Sequence, residues 1–161
     1  MLIQDGELET GIGLNQASNL QRPGDTRWSS HLRSISSLMK MFSATCSVFH
    51  KLIDEGDTPA EHAQATTALD TMTSFEFIFI LHLMKKVLEV SDLLSEALQR
   101  KSQDIINSLH LVKTTKTLLL KLRDDGWNCL LSEVISFCER RNIELPDMNS
   151  IYIERRGRAR R

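Results

Sequence analysis

Apolar residues recur along the first half of the chain at alternating intervals of four and three positions. The run begins at Trp28 and keeps this spacing without a gap as far as Ile53. Such intervals place side chains on one face of an α-helix, so the pattern predicts a single long amphipathic helix that ends around Gly56. Its apolar face comprises Trp28, Leu32, Ile35, Met39, Phe42, Cys46, Phe49 and Ile53, broadened by Leu38, Met41 and Leu52.

Two helix-start signals follow this segment. Thr58 precedes Pro59, and Glu61 lies three residues after Thr58, which is the sequence pattern of a capping box. We expect a short, alanine-rich helix from this point to about residue 69 or 72. Ser74 is suited to cap the helix that comes next.

Residues 75–83 are ambiguous, because their Phe and Ile side chains and partial alternation also suit a buried strand. The apolar pattern nevertheless continues without a turn signal to Leu98. We therefore predict one helix from Ser74 to about Arg100, with its first half buried on nearly all sides. Burial, rather than intrinsic propensity, would hold this aromatic half in a helical conformation.

The remaining sequence predicts two more helices. One runs from about Ser102 to Arg123 and ends at Gly126, which is placed for a left-handed cap. The other runs from Trp127 to about Asn142, and residues 145–146 end helical order. The predicted apolar positions are Ile105, Leu109, Val112, Leu119 and Leu122 in the first, and Trp127, Leu130, Leu131, Val134, Phe137 and Cys138 in the second.

These elements predict an all-α fold, an antiparallel helical bundle of about five helices joined by short connections. With 161 residues, 41% of them hydrophobic and 25% charged, the chain fits one globular domain. Only 7 glycines and 3 prolines leave little material for turns, which favours a few long helices. We expect an irregular lead-in over 1–25, a helical domain over 26–145, and a linker with an arginine-rich tail over 146–161.

The net charge of −1 conceals an asymmetry, because residues 154–161 carry +4 and the rest of the chain carries −5. A basic end of this kind can bind the DNA backbone, remain a solvated tail, or act as a nuclear import signal, and composition does not separate these alternatives. The arginines concerned are Arg155, Arg156, Arg158, Arg160 and Arg161.

The cysteine and histidine positions offer no metal site or disulfide framework. Cys46 and His50 are one helical turn apart, but zinc would need two further ligands that the sequence does not supply. Cys129 and Cys138 are expected to be core thiols. The N-terminal residues lack the basic and apolar regions of a signal peptide, so none is expected, and the most apolar stretch is too short to span a bilayer. We expect a soluble, intracellular protein without a membrane partner.

No sequence motif of a known catalytic site is present, so the chain is expected not to be an enzyme, with no cofactor and no small-molecule substrate. Arg27 and Trp28 are the one pair that suggests a binding site, because they place a cation beside a large aromatic ring at the start of a predicted helix. Trp28 can stack on a nucleic-acid base while Arg27 contacts a phosphate. The alternative is that Trp28 is the first core residue of the helical stripe.

Several segments resemble hAT-superfamily transposases, in particular the plant transposase-derived zinc-finger proteins of the MYM and TTF types. The likeness begins at residues 13–16 and continues through 22–31, which contain the Thr26-Arg27-Trp28 motif. It extends to residues 73–79, to residues 146–149, and to the arginine run, and so covers nearly the whole chain in order.

The resemblance implies a catalytic fold of the RNase H type with a helical domain inserted into it. In that family two catalytic Asp residues precede the insertion and a Glu follows it, and these carboxylates bind a divalent metal. We expect this chain to be a non-catalytic fragment that covers the insertion and shapes a DNA-binding cleft in its parent protein. The resemblance also implies a nuclear location and a Trp28 that stacks on a base flipped out of the DNA.

Two alternatives to the transposase interpretation remain open. In the first, the chain is a domesticated helical module for protein interaction or oligomerisation, without DNA chemistry. In the second, it is the product of an expressed pseudogene. A detached insertion domain would also expose apolar surfaces that once faced a sheet, so we expect self-association. DNA and a second copy of the chain are therefore the expected partners.

Overall fold

The computed structural model describes residues 20–24, 28–100 and 104–149. These ranges contain six α-helices and no strand, which confirms the predicted all-α fold. Residues 20–24, the described part of the predicted lead-in, are exposed and lie outside any helix. The helices are α1 (Trp28–Lys40), α2 (Phe42–Glu55), α3 (Pro59–Met72), α4 (Phe75–Leu98), α5 (Ile105–Asp125) and α6 (Trp127–Glu139).

The predicted single helix over 28–53 is divided at Met41, so the bundle has six helices where the sequence indicated about five. The backbone of Met41 has φ −98° and ψ 16°, outside helical values. Its N–H still donates to the carbonyl oxygen of Ser37 at 3.0 Å, and its carbonyl accepts from the N–H of Thr45 at 2.8 Å. The division lets α1 pack against α4 while α2 packs against α3.

Local sequence signals set three of the helix starts. Thr58 and Glu61 form the predicted capping box at α3, and the Ser74 hydroxyl accepts from the N–H of Phe77 at the start of α4. At α5 the carboxylate of Asp104 accepts from a backbone N–H at 2.6 Å. Each cap satisfies an amide group that the first turn of a helix leaves without a partner.

The left-handed backbone conformation that the sequence predicts at Gly126 is found at a different residue. Gly126 has φ −80°, so the predicted left-handed cap is wrong. A glycine is nevertheless needed there, because a Cβ would lie 2.5 Å from the carbonyl oxygen of Leu122. The positive φ, 53°, belongs to Asn142, which follows α6. Asn is one of the few residues that adopt this conformation at low cost.

The core lies where α4 and α6 meet the junction of α1 and α2. Phe42, Ile78, Val134 and Cys138 are almost completely buried there. The ring of Phe137 meets the ring of Phe42 edge-on, with centroids 5.2 Å apart. Helix α4 contacts α1, α3, α5 and α6, and is therefore the central element of the bundle.

Two expectations about burial are wrong. The first half of α4 is not buried on nearly all sides, because Ile80 and Met84 are exposed. In α5 the predicted apolar side is divided: Leu119 and Leu122 are half-buried, whereas the residues nearer its start face solvent. A repeat of apolar residues marks a face of a helix, but it does not tell whether the same chain covers that face.

Candidate functional site

Trp28, the residue with the predicted DNA contact, is the first residue of α1 and lies on the surface. It is 60% exposed, and its ring centroid lies 6.3 Å from that of His31 at a tilt of 48°. The interpretation of Trp28 as a core residue is therefore wrong for the described part of the chain. An exposed indole beside an imidazole presents a flat surface on which another ring can stack.

Two hydrogen bonds attach the segment before Trp28 to the first turns of α1. The N–H of Gly24 donates to the hydroxyl of Ser30 at 2.6 Å, and the hydroxyl of Ser34 donates to the carbonyl of Gln21 at 2.5 Å. The other predicted DNA contacts, Arg27 and the arginine run at 155–161, lie outside the described residues. Trp28 is thus the one member of that set that has a described position.

A second candidate surface runs along α4. Its residues recur at intervals of four, three, four, three and four, and we call them the α4 stripe. Four of them are between 37% and 46% exposed, and Ser91 and Leu94 are half-buried. The spacing is that of one seam of a coiled coil. The members of the α4 stripe are Ile80, Met84, Val87, Ser91, Leu94 and Leu98.

Helix α5 adds further apolar surface beside α4. Ile105, Ile106 and Leu109 are 80%, 82% and 66% exposed, and no residue of α5 is fully buried. Helix α5 packs against α4, and its most exposed apolar residues lie in its first half. The two helices together expose more apolar surface than scattered single residues would produce.

A third candidate is a surface pocket of about 660 Å³ between α1, α4 and the end of α6. Four of its lining residues are cations, namely Lys40, Lys85, Arg140 and Arg141. The Arg141 guanidinium carbon lies 3.8 Å from the centroid of the Phe137 ring, which forms part of the wall. Lys85 also lies 3.5 Å from a carboxylate oxygen of Glu89.

Helices α4 and α6 also bring together a buried histidine and an ion pair. His82 is buried, its ring contacts Phe137 with centroids 5.0 Å apart, and Nδ1 donates to the Ile78 carbonyl at 2.8 Å. Burial lowers the pKa of His82 below its ordinary value. The ammonium of Lys86 donates to Glu133 at 2.8 Å, and this hydrogen bond raises the pKa of Lys86 and lowers that of Glu133.

The thiols are arranged differently from the expectation. Cys138 is a buried core thiol as predicted, but Cys129 is exposed and donates to a carboxylate oxygen of Glu133 at 3.5 Å. Cys46 is half-buried, and His50, four residues further along α2, is exposed. Burial raises the pKa of both Cys46 and Cys138, which favours the unreactive thiol form.

The described ranges contain no cluster of three or more His, Cys, Asp or Glu side chains arranged to hold a metal ion. Within the same ranges, no helix is both long and apolar enough to cross a membrane. Comparison with known proteins found no matching family, no matching curated protein and no matching solved structure. The likeness to hAT-type transposases therefore stays a prediction.

Sequence reasoning missed the α4 stripe and the cationic pocket. The spacing of the stripe is present in the sequence, but the apolar pattern predicts a first half of α4 that is buried on nearly all sides, and it does not show that this face is uncovered. The pocket left no local signal, because Lys40, Lys85 and Arg140 are far apart in the chain and ordinary on helix surfaces. Only the tertiary arrangement of α1, α4 and α6 brings them to one cavity.

Proposed function

We propose that the protein is a non-catalytic helical module that self-associates through the α4 stripe. The observation that carries this proposal is the exposure of Ile80, Met84, Val87 and Leu98 on the central helix. Helix α4 already contacts four neighbours, and a side of a helix that faces solvent is ordinarily polar. An apolar seam in that position favours a further helix as its partner.

The size of the surface suits a second copy of the chain. From Ile80 to Leu98 the α4 stripe is about 27 Å long at 1.5 Å per residue. Together with the exposed start of α5, two helices of about 10 Å diameter offer on the order of 500 Å² or more per partner. A standard interface buries roughly 800 Å² per partner, so the surface is adequate for a dimer of moderate affinity.

The spacing of the stripe also supports a symmetric pairing. Its intervals read the same in both directions, so an antiparallel copy places Ile80 opposite Leu98 and Met84 opposite Leu94. Val87 then lies opposite Ser91, beside the twofold axis. Such self-complementary contacts are the rule for homodimers.

Sedimentation equilibrium of the whole chain tests this proposal. The double variant Met84→Lys/Leu98→Lys puts a charge at two exposed positions of the α4 stripe, and we expect it to be monomeric where the wild type is dimeric. The matched control is Val48→Lys/Leu52→Lys on α2, whose two side chains are 58% and 43% exposed. The two control residues are similarly exposed, but they lie on another helix, outside the α4 stripe. The control variant should therefore remain dimeric.

Either of two results would overturn the proposal. A wild type that is monomeric at about 100 μM leaves the stripe without a self-association role, since a weaker dimer corresponds to less than about 5.5 kcal/mol of binding. A control variant that dissociates the oligomer as strongly as the stripe variant indicates general loss of apolar surface rather than a specific seam.

A second candidate function is supported by the exposure of Trp28. In this proposal the chain is the helical framework of a hAT-type transposase-like nuclear protein, and it helps to shape a DNA-binding cleft. Trp28 stacks on a base, while Arg27 and the arginine run at 155–161 contact phosphates. The apolar side of α4 would then face the rest of the parent protein.

Fluorescence separates the two candidates, because the chain has 2 tryptophans. The variant Trp127→Phe leaves Trp28 as the sole tryptophan, and quenching by a single-stranded oligonucleotide reports stacking on it. Trp28→Ala removes this signal, so its binding is followed by the anisotropy of a fluorescently labelled oligonucleotide. We expect that binding to be about ten-fold weaker or more, since one stacked base contributes roughly 1–3 kcal/mol. Removal of residues 150–161 should weaken this binding further and make it less sensitive to salt.

Two results together would exclude the DNA proposal and leave the self-association proposal intact. The oligonucleotide does not quench Trp28, and removal of residues 150–161 does not change the oligomeric state. Conversely, strong salt-dependent quenching by a monomer would favour the DNA proposal over self-association. The two experiments therefore fail independently.

A further inference from the structure

The pocket between α1, α4 and the end of α6 gathers four cations from parts of the chain that are distant in sequence. Lys40 ends α1, Lys85 lies in the middle of α4, and Arg140 and Arg141 directly follow α6. The residues that line this pocket, all within the described ranges, include no carboxylate. Like charges brought together around one cavity repel each other, so their convergence needs a physical explanation.

Two features offset part of this repulsion. Lys85 lies 3.5 Å from Glu89, and the carbonyl groups at the C-terminal end of α6 favour the cations of Arg140 and Arg141. Arg141 has a packing role as well, since its guanidinium covers the Phe137 ring at 3.8 Å. Lys85 pairs with a carboxylate of its own helix, and Arg140 is exposed.

We propose that this pocket binds a small anion that carries two or more phosphate groups. Its volume of about 660 Å³ lies within the range of small-molecule sites, roughly 300–1,000 Å³, and exceeds what a single phosphate requires. Arginine forks and lysine ammonium groups are the side chains that proteins use for phosphate oxygens. Met39 and Phe137 add an apolar wall against which the rest of the ligand can lie.

The charge of the pocket favours a polyphosphate over a single carboxylate. One carboxylate has two oxygens and can contact only one or two of the four cations. A ligand with two or more phosphates matches the charge of the lining residues more closely. Inorganic triphosphate, a nucleoside triphosphate and an inositol polyphosphate all share this chemistry.

Isothermal titration calorimetry with inorganic triphosphate, at about 150 mM salt to screen unspecific attraction, tests the inference. The double variant Lys85→Gln/Arg140→Gln removes two pocket cations without changing the core. We expect binding to weaken roughly ten-fold or more for each cation removed, as charge-assisted hydrogen bonds are lost.

The matched control is Lys51→Gln/Arg123→Gln, which makes the same change in net charge away from the pocket. Both residues are exposed surface cations, Lys51 3.6 Å from Glu55 and Arg123 2.7 Å from Asp124. The control should bind triphosphate within about two-fold of the wild type, because only distant, screened charges have been removed. Circular dichroism of both variants checks that the helices are retained.

Three results would overturn the inference. The wild type does not bind triphosphate, or the two double variants lose affinity equally, or a short DNA duplex binds through Lys85 and Arg140 while triphosphate does not. The last result would assign the pocket to a nucleic-acid surface. Parallel titrations with ATP and inositol hexakisphosphate distinguish the sources of the polyphosphate, and tighter binding of either than of triphosphate supports the inference.

Discussion

Phe137 is a buried side chain of α6 that contacts several other elements of the bundle. It is 5% exposed, and its ring makes edge-on contacts with Phe42, at 5.2 Å and 82°, and with His82, at 5.0 Å and 77°. The guanidinium of Arg141 covers the ring at 3.8 Å. One ring on α6 thus joins α2, α4 and the turn after α6, so its removal should weaken all three contacts together.

The expected loss on Phe137→Ala follows from these contacts. Replacing a buried phenylalanine with alanine typically costs about 3–5 kcal/mol, which includes the cavity that remains. Each edge-on aromatic contact contributes about 0.5–1.5 kcal/mol beyond burial, so a value near 4 kcal/mol is expected. Phe137→Leu keeps most of the volume and should cost less than about 2 kcal/mol.

Urea unfolding followed by far-ultraviolet circular dichroism measures this difference. The control Leu93→Ala changes a residue of α4 that is 64% exposed, and it should alter the free energy of unfolding by less than about 0.5 kcal/mol. If Phe137→Ala costs no more than Leu93→Ala, with equal denaturant slopes, the junction of α2, α4 and α6 is not the core. A similar cost for Phe137→Ala and Phe137→Leu would instead attribute the effect to the edge-on contacts rather than to volume.

Two further predictions concern local features. Thr58→Ala removes the hydroxyl that accepts from the Glu61 N–H at 3.2 Å. The free energy of unfolding should therefore fall by about 1 kcal/mol. The control Thr66→Ala, in the exposed middle of α3, should lower it by less. Equal urea midpoints for the two variants would contradict the role of the cap. Burial holds the pKa of His82 in the folded chain below 6.5. Because the unfolded chain binds a proton at His82 more readily, the free energy of unfolding should decline as the pH falls below 6.5 toward the lowered pKa. His82→Phe should flatten this decline between about pH 5 and 7, and an unchanged slope would exclude His82 as its source.

Local signals in the sequence were sufficient for the starts of α3 and α4 and their caps. Thr58, Glu61 and Ser74 act through atoms within three residues of themselves, so the chain need not be folded for their pattern to be recognisable. The division at Met41 left no such signal. Its cause is tertiary, because α1 and α2 pack against different helices while the apolar repeat passes through Met41 without interruption.

The candidate sites were harder to predict from the sequence, because they too depend on tertiary packing. Periodicity identified Ile105, Leu109 and Val112 as one apolar side of a helix, yet these residues are exposed, and periodicity alone does not identify what covers a face. The exposure of Trp28 depends equally on what else packs near the start of α1. The pocket cations lie on three different elements and come together only in the folded chain.

The self-association surface and the polyphosphate pocket share one helix, and their separation on α4 leads to a last prediction. Met84 belongs to the α4 stripe and Lys85 to the pocket, and successive residues of a helix point about 100° apart. Binding at one site should therefore leave the other unaffected. Met84→Lys/Leu98→Lys should bind triphosphate as the wild type does, and Lys85→Gln/Arg140→Gln should keep the oligomeric state. Loss of both properties in either variant would mean that α4 itself had been displaced, and neither site could then be assigned from that variant.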